Sequence, residues 1–241
     1  MAASPAFALE AMGESGLLLR FGERIDAALN ARVHAAARVL RDAALPGLED
    51  LVPTYASLLL RFDAAAAADA ARMREVERRV RAALAAAGAA AQPIAGDAPA
   101  RVVEIPVCYG GDCGPDLEAV AAHAGIDAST LIARHAAGDY RVAMLGFAPG
   151  FPYLLGLDPA LHAPRLATPR TRVPAGSVAI GGAQAGIYPR ELPGGWRIVG
   201  RTPLVLFDAA REPPCLLAPG DRVRFRAIDA AEFARLAGAA P

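Results

Sequence analysis

A chain of 241 residues, 54% apolar and 21% charged, is long enough for one large or two modest domains and has a soluble globular composition. Its 25 basic and 25 acidic residues cancel, so no net field draws it to nucleic acid or to an anionic membrane, and no apolar run approaches the roughly 20 residues that span a bilayer. Every basic position is arginine: without lysine, a Walker P-loop, a kinase-type strand lysine and a Schiff-base lysine are all excluded. The N-terminal MAASPAFALEAMGESG lacks the basic stretch and continuous apolar core of a secretory signal, so a cytoplasmic location is expected. Cys108, Cys113 and Cys215 cannot all pair, which argues against a disulfide framework.

Along the chain, GLLLRF (16–21) and TYASLLLRF (54–62) read as short strands. Ile25, Leu29, Val33, Ala36 and Leu40 recur at helical spacing, as do Met73, Val76, Val80 and Leu84 before Gly88. Two helices on one face of an antiparallel sheet make a small α+β domain over residues 1–92. AAAQPIAGDAPA (89–100) has linker composition, and a second domain is expected over 93–241. There RVVEIPVCY (101–109) reads as a strand entering the turn GGDCG. Pro115 suits the first helical position of a helix stopped by Gly125, and Ser129 is the expected cap of a second helix ending at Gly138. From Tyr140 the period changes to short strands, YRVAMLGF, SVAIGG, GWRIVG, PLVLFD and RVRFRAI, punctuated by glycine and proline, which indicates a sandwich or barrel.

The candidate chemistry lies in this second region. Cys108, Cys113 and His123 have no metal-ligand spacing, and there is no CxxC, HExxH or GxSxG, so neither a metal site nor a serine hydrolase is expected. LHAPRLATPRTRVPAG (161–176) is a proline-spaced ledge carrying His162, Arg165, Arg170 and Arg172. Proline fixes φ and removes donors, so the segment is expected to hold its guanidinium groups rigidly, where their planar forks suit a carboxylate or phosphate. A solvated basic loop is the alternative. MLGFAPGFPYLLGL (144–157) adds Phe147, Phe151 and Tyr153 on a turn-rich segment, either plugging a barrel end or lining a pocket. SVAIGGAQAGIYP (177–189) adds Gln184 and Tyr188 beside the Gly181–Gly182 pair, which suits either a ligand approaching bare backbone or a sheet turning a corner.

YGGxxGPDLxxVA (109–121), GFxPGFPYLxGL (146–157), LHxPRxxxPRxxVPAGSVxIGGxQxGIYP (161–189) and PGGWxIVGRTP (193–203) closely resemble the 5-oxoprolinase B-subunit family. The same family is called KipI-like or allophanate hydrolase subunit 1, and it is similar to part of the urea carboxylase carboxyltransferase domain. The resemblance implies an α+β N-terminal domain followed by a cyclophilin-like β-barrel. It also implies a role as the B component of an ATP-dependent 5-oxoprolinase, inactive alone, which opens 5-oxo-L-proline to L-glutamate with subunits A and C, ATP and a divalent cation. Inhibition of a sensor histidine kinase and a urea- or allophanate-related carboxyltransferase role are the alternatives it leaves open. The motif positions point to His162, Arg170 and Gln184 as catalytic, and to Arg165, Tyr188, Gly181, Gly182, Phe151 and Tyr153 as substrate-binding.

Overall fold

The computed structural model describes residues 7–88 and 101–238, in two compact units, Met1–Pro99 and Ala100–Pro241. The division falls between Pro99 and Ala100, and the linker expected at 89–100 lies outside the described residues.

The first unit is the expected α+β layer. Strands β1 (Ala8–Met12), β2 (Gly16–Arg20), β3 (Leu48–Pro53) and β4 (Ser57–Phe62) form an antiparallel sheet in the order β1-β2-β4-β3. The outer strands escaped the sequence reading because ALEAM is mostly exposed and LEDLVP carries two acids and a proline, weak β signals at a sheet edge. Helix α1 (Ala27–Asp42) starts after Asp26, whose carboxylate accepts the Leu29 N–H at 2.9 Å, which leaves Ile25 outside the helix and 47% exposed. A short helix, α2 (Ala64–Ala68), precedes α3 (Ala70–Ala86), whose Val76, Val80 and Leu84 stripe joins Val33 and Leu40 of α1 and Leu58, Leu60 and Phe62 of β4 in one core.

In the second unit β5 (Val102–Tyr109) leads through a single tight turn into α4 (Leu117–Ala124) and α5 (Ala128–Ala137). Two helix starts differ from expectation. Pro115 precedes the cap position, which Asp116 occupies, and α5 is capped by Asp127, whose carboxylate accepts the Thr130 N–H at 2.7 Å; Ser129 lies inside the helix and donates to that same carboxylate. Asp127 is the better cap because an ionised acceptor also opposes the helix dipole.

The strands that follow are β6 (Tyr140–Leu145), β7 (Pro152–Leu155), β8 (Arg170–Val173), β9 (Ser177–Gly181), β10 (Gln184–Ile187), β11 (Leu192–Gly194), β12 (Arg197–Arg201) and β13 (Arg222–Ile228), before a last helix, α6 (Ala230–Gly238). Six of them join β5 to close a seven-stranded barrel in the order β10-β7-β6-β13-β5-β12-β9, with β13 and β5 parallel and β9 and β10 sealing the ring. The expected β-barrel is thus present, with two differences in detail. PLVLFD is not a strand and contributes only the bridge between Phe207 and Cys215, and part of the ledge is strand β8, paired to β11 outside the barrel. Inward residues of every barrel strand, among them Ile105, Val142, Leu154, Ile180, Ile187, Val199 and Phe225, fill the interior as a packed core.

Candidate functional site

The proline-spaced ledge is held by backbone bonds rather than by its prolines alone. Leu166 N–H donates to the Gly195 carbonyl at 2.7 Å, the Pro164 carbonyl accepts from Arg197 Nε at 3.2 Å, and the Ala163 carbonyl accepts the Gly182 N–H at 2.8 Å. Two separate chain segments, the β9–β10 turn and residues 195–197 leading into β12, therefore fix its course, as a rigid platform for side chains requires.

Arg170, at the start of β8, was expected to offer its fork to a ligand. Instead its two terminal nitrogens donate to the two carboxylate oxygens of Asp116 at 2.8 Å each, and Asp116 also accepts the Ile198 N–H at 2.7 Å. The Asp116 carboxylate is buried and so needs these partners; a guanidinium that matches both oxygens is a direct way to supply them. This clamp ties the ledge to the start of α4 and to β12. Arg172, by contrast, points outward to the exposed Glu191 at 2.8 Å.

Beside the clamp lies an aromatic cluster. Phe151, Tyr188 and Trp196 pack with Val173, Ala179 and Ile198, and Tyr153 rests against them. The rings meet edge to face, Phe151 on Tyr188 at 5.2 Å and 90° and Tyr153 on Trp196 at 5.8 Å and 71°. Exposed Arg165 stacks its guanidinium 5.7 Å from the Trp196 ring. Burial raises the pKa of both phenols, Tyr188 and Tyr153; a hydrogen bond with the Trp196 backbone and, more weakly, Arg165 oppose this at Tyr188, and Arg165 opposes it at Tyr153, and the net effect keeps both hydroxyls protonated.

The two glycines resolve differently. Gly181 is buried, and a Cβ there would meet the Trp196 indole at 2.5 Å: the close approach is made by a side chain of the protein itself. Gly182 has φ 65° and open space around its Cα, the signature of the tight turn that joins β9 to β10. Its N–H is already bonded to Ala163 and does not cradle a ligand.

Phe147 is the residue whose position the sequence did not reveal. Ala148 N–H donates to the Gly146 carbonyl at 2.7 Å, closing a three-residue turn with Phe147 at its centre at φ 65°, a conformation that costs an aromatic residue energy. Its ring is 60% exposed and stands edge-on over Phe151 at 5.4 Å and Tyr188 at 6.3 Å. A strained backbone that keeps a large apolar ring in solvent lowers stability, and such residues cluster at functional surfaces.

Of the expected site residues, Phe151, Tyr153, Tyr188 and Arg165 are thus brought together, but only Tyr153 and Arg165 reach the surface: Phe151 and Tyr188 were expected to bind substrate and are instead buried in the core cluster, with Gly181 making room for the Trp196 ring beside them. His162 follows the turn Pro159–Leu161 and is half-buried, and Gln184 opens β10 opposite Gly181; among the described residues no hydrogen bond joins either side chain to the clamp or the cluster. Asp116 and Trp196 were missed as site-building residues. Asp116 had a visible signal, an acid directly after Gly-Pro and before an apolar run, but its partner lies 54 positions away.

Residues 7–217 match the family of the carboxyltransferase domain, subdomains C and D. The chain is 41% identical over 239 residues to the B subunit of 5-oxoprolinase from Bacillus subtilis (strain 168), covering 94% of this chain and 95% of that protein. The chain belongs to the 5-oxoprolinase B-subunit family. Among solved structures, TTHA0988 superimposes with a TM-score of 0.72 at 40% identity over 89% of this chain, which spans only 40% of that longer protein. The urea amidolyase of K. lactis shares the fold, with a TM-score of 0.70 at 21% identity over 95% of this chain and 15% of that one. The family's motifs fall, in this structure, on the clamp, the ledge and the aromatic face.

Proposed function

We propose that this chain is the B component of an ATP-dependent 5-oxoprolinase, acting in the cytoplasm with subunits A and C to open 5-oxo-L-proline to L-glutamate. The observation that carries the reading is the 41% identity, over nearly the full length of both chains, to the B subunit of a 5-oxoprolinase. A five-membered lactam is a poor electrophile; ATP with a divalent cation, supplied at the level of the complex, would activate the carbonyl oxygen by phosphorylation so that water can add. What this chain contributes is positioning and charge. Phe147 and half-buried Tyr153 present an apolar surface over the buried rings of Phe151 and Tyr188, and Arg165 beside them is an exposed cation available to a phosphate. His162 and Gln184, at the two ends of the ledge–hairpin contact, are the polar groups proposed to orient the amide. Arg170 acts at one remove, by holding the ledge through Asp116.

The chain on its own is expected not to convert 5-oxoproline; mixed with its cognate subunits A and C, ATP and Mg²⁺ it should release glutamate and ADP together. Turnover by the isolated chain, or none from the full mixture, would refute the reading.

A further inference from the structure

On the side of the ledge formed by Ala163 and Pro164 lies a cavity of about 360 Å³, bounded by α4 through Ala119, Val120 and His123 and by β12 through Arg197. Its walls carry no carboxylate. They carry one guanidinium whose anchoring is already settled: Arg197 Nε donates to the Pro164 carbonyl at 3.2 Å, which fixes the plane of the group, while its two terminal nitrogens have no partner among the described residues. Arg170, the other half-buried arginine at the ledge, has its fork filled by Asp116; an oriented but open fork facing a cavity is a ready carboxylate receptor. The exposed His123 imidazole is a second polar group on the wall, and buried Val120 and Ala163 give an apolar floor.

We propose that this cavity binds the carboxylate of a small cyclic amide acid, with the anion on the Arg197 fork and the ring methylenes on Val120 and Ala163; the substrate class rests on the 5-oxoprolinase reading. The size admits a small ring with its carboxylate: 360 Å³ falls at the lower end of the range of small-molecule pockets. The charge supports a monoanion, since a single unpaired guanidinium balances one carboxylate and under-compensates a triphosphate. Pro164 belongs to both the cavity wall and the ledge that carries Arg165, so a ring seated here would lie against the segment whose other side chains face the aromatic cluster.

The test is a titration of the ¹⁵N-labelled full chain with 5-oxo-L-proline, followed by backbone and Arg Nε–H shifts. Shifts are expected at Ala119–His123, Ala163 and Arg197, with Arg197→Gln weakening binding at least tenfold and Arg224→Gln, on an exposed position of β13, leaving it within twofold. Inorganic phosphate and ATP are titrated in parallel. Saturable shifts at these residues from phosphate or ATP but not from 5-oxoproline would make the cavity a phosphate site and overturn the carboxylate assignment. Shifts confined to Phe147–Tyr153, or none at millimolar ligand, would overturn the cavity itself. In the reconstituted complex Arg197→Gln should raise KM at least tenfold with kcat within threefold. An unchanged KM in a complex that turns over would sink this inference and leave the enzyme assignment standing, whereas a complex that never turns over while the isolated chain still binds through Arg197 would do the reverse.

Discussion

At the level of single residues the Asp116–Arg170 pair decides the most. A carboxylate with almost no exposure sits between a guanidinium and a backbone N–H, and removing its cation leaves a buried charge with one partner. Because the Arg170 side chain is itself about a third exposed, solvent softens that penalty. Arg170→Ala is therefore expected to destabilise the second unit by about 2 kcal/mol, and Arg170→Lys, which keeps the charge but loses the fork, by about 1 kcal/mol. Urea unfolding followed by Trp196 fluorescence checks this. A loss below measurement error for both variants would mean the clamp is not structural and would return Arg170 to direct ligand binding. From the sequence alone this arginine reads as a ligand-facing group. Nothing local in PRTRVPAG announces a carboxylate that arrives from the start of a distant helix.

At the level of elements, the β9–β10 hairpin and its glycine pair show how two identical neighbours acquire different reasons to exist. Gly181 is dictated by the Trp196 ring packed against it, Gly182 by the turn's left-handed φ. Gly181→Ala forces an overlap in a packed interior and should cost about 2–3 kcal/mol together with a changed near-ultraviolet Trp signal. Gly182→Ala meets open space and should cost about 1–2 kcal/mol with that signal intact. The reverse order, with Gly182 the more damaging and Gly181 silent in the Trp spectrum, would show that the indole does not rest on this strand. The hairpin was legible as strand–turn–strand from its pattern. That the close approach comes from an indole and not from a ligand was not, because Trp196 enters from beside β12 on the other side of β9.

For the barrel as a whole, one buried histidine sets an acid limit. His135 on α5 is fully buried against Tyr140 and Phe225, its Nδ1 bonded to the Tyr109 hydroxyl at 2.8 Å, and burial pushes its pKa down to about 3. The unfolded chain takes up that proton near pH 6.5 while the folded barrel resists it until about pH 3. Between those limits the unfolded state binds more protons, so stability falls as the pH is lowered, by up to about 1.4 kcal/mol per pH unit. From pH 7 to 5 this contribution alone amounts to about 2 kcal/mol. Denaturant melts of wild type and His135→Gln at pH 7 and pH 5 isolate it: the variant, though less stable at pH 7, should lose about 2 kcal/mol less on acidification. Parallel losses in the two proteins would show that other groups set the acid limit.

What the sequence determined by itself is whatever repeats within a few residues or is spelled out in long motifs. The amphipathic stripes of α1 and α3, the short strands with their glycine and proline turns, the absence of lysine chemistry, and motifs dense enough to identify the family are all of this kind. Packing alone decided how those elements close and which charges find partners: the parallel β13–β5 pairing that completes the barrel, Asp116 taking the Arg170 fork, Trp196 filling the space that Gly181 leaves, and the Arg197 fork left open at a cavity wall. The reason is range. Helical period, turn chemistry and capping act between near neighbours, whereas a buried carboxylate and its guanidinium, or a ring and the glycine beneath it, meet only once the chain has folded.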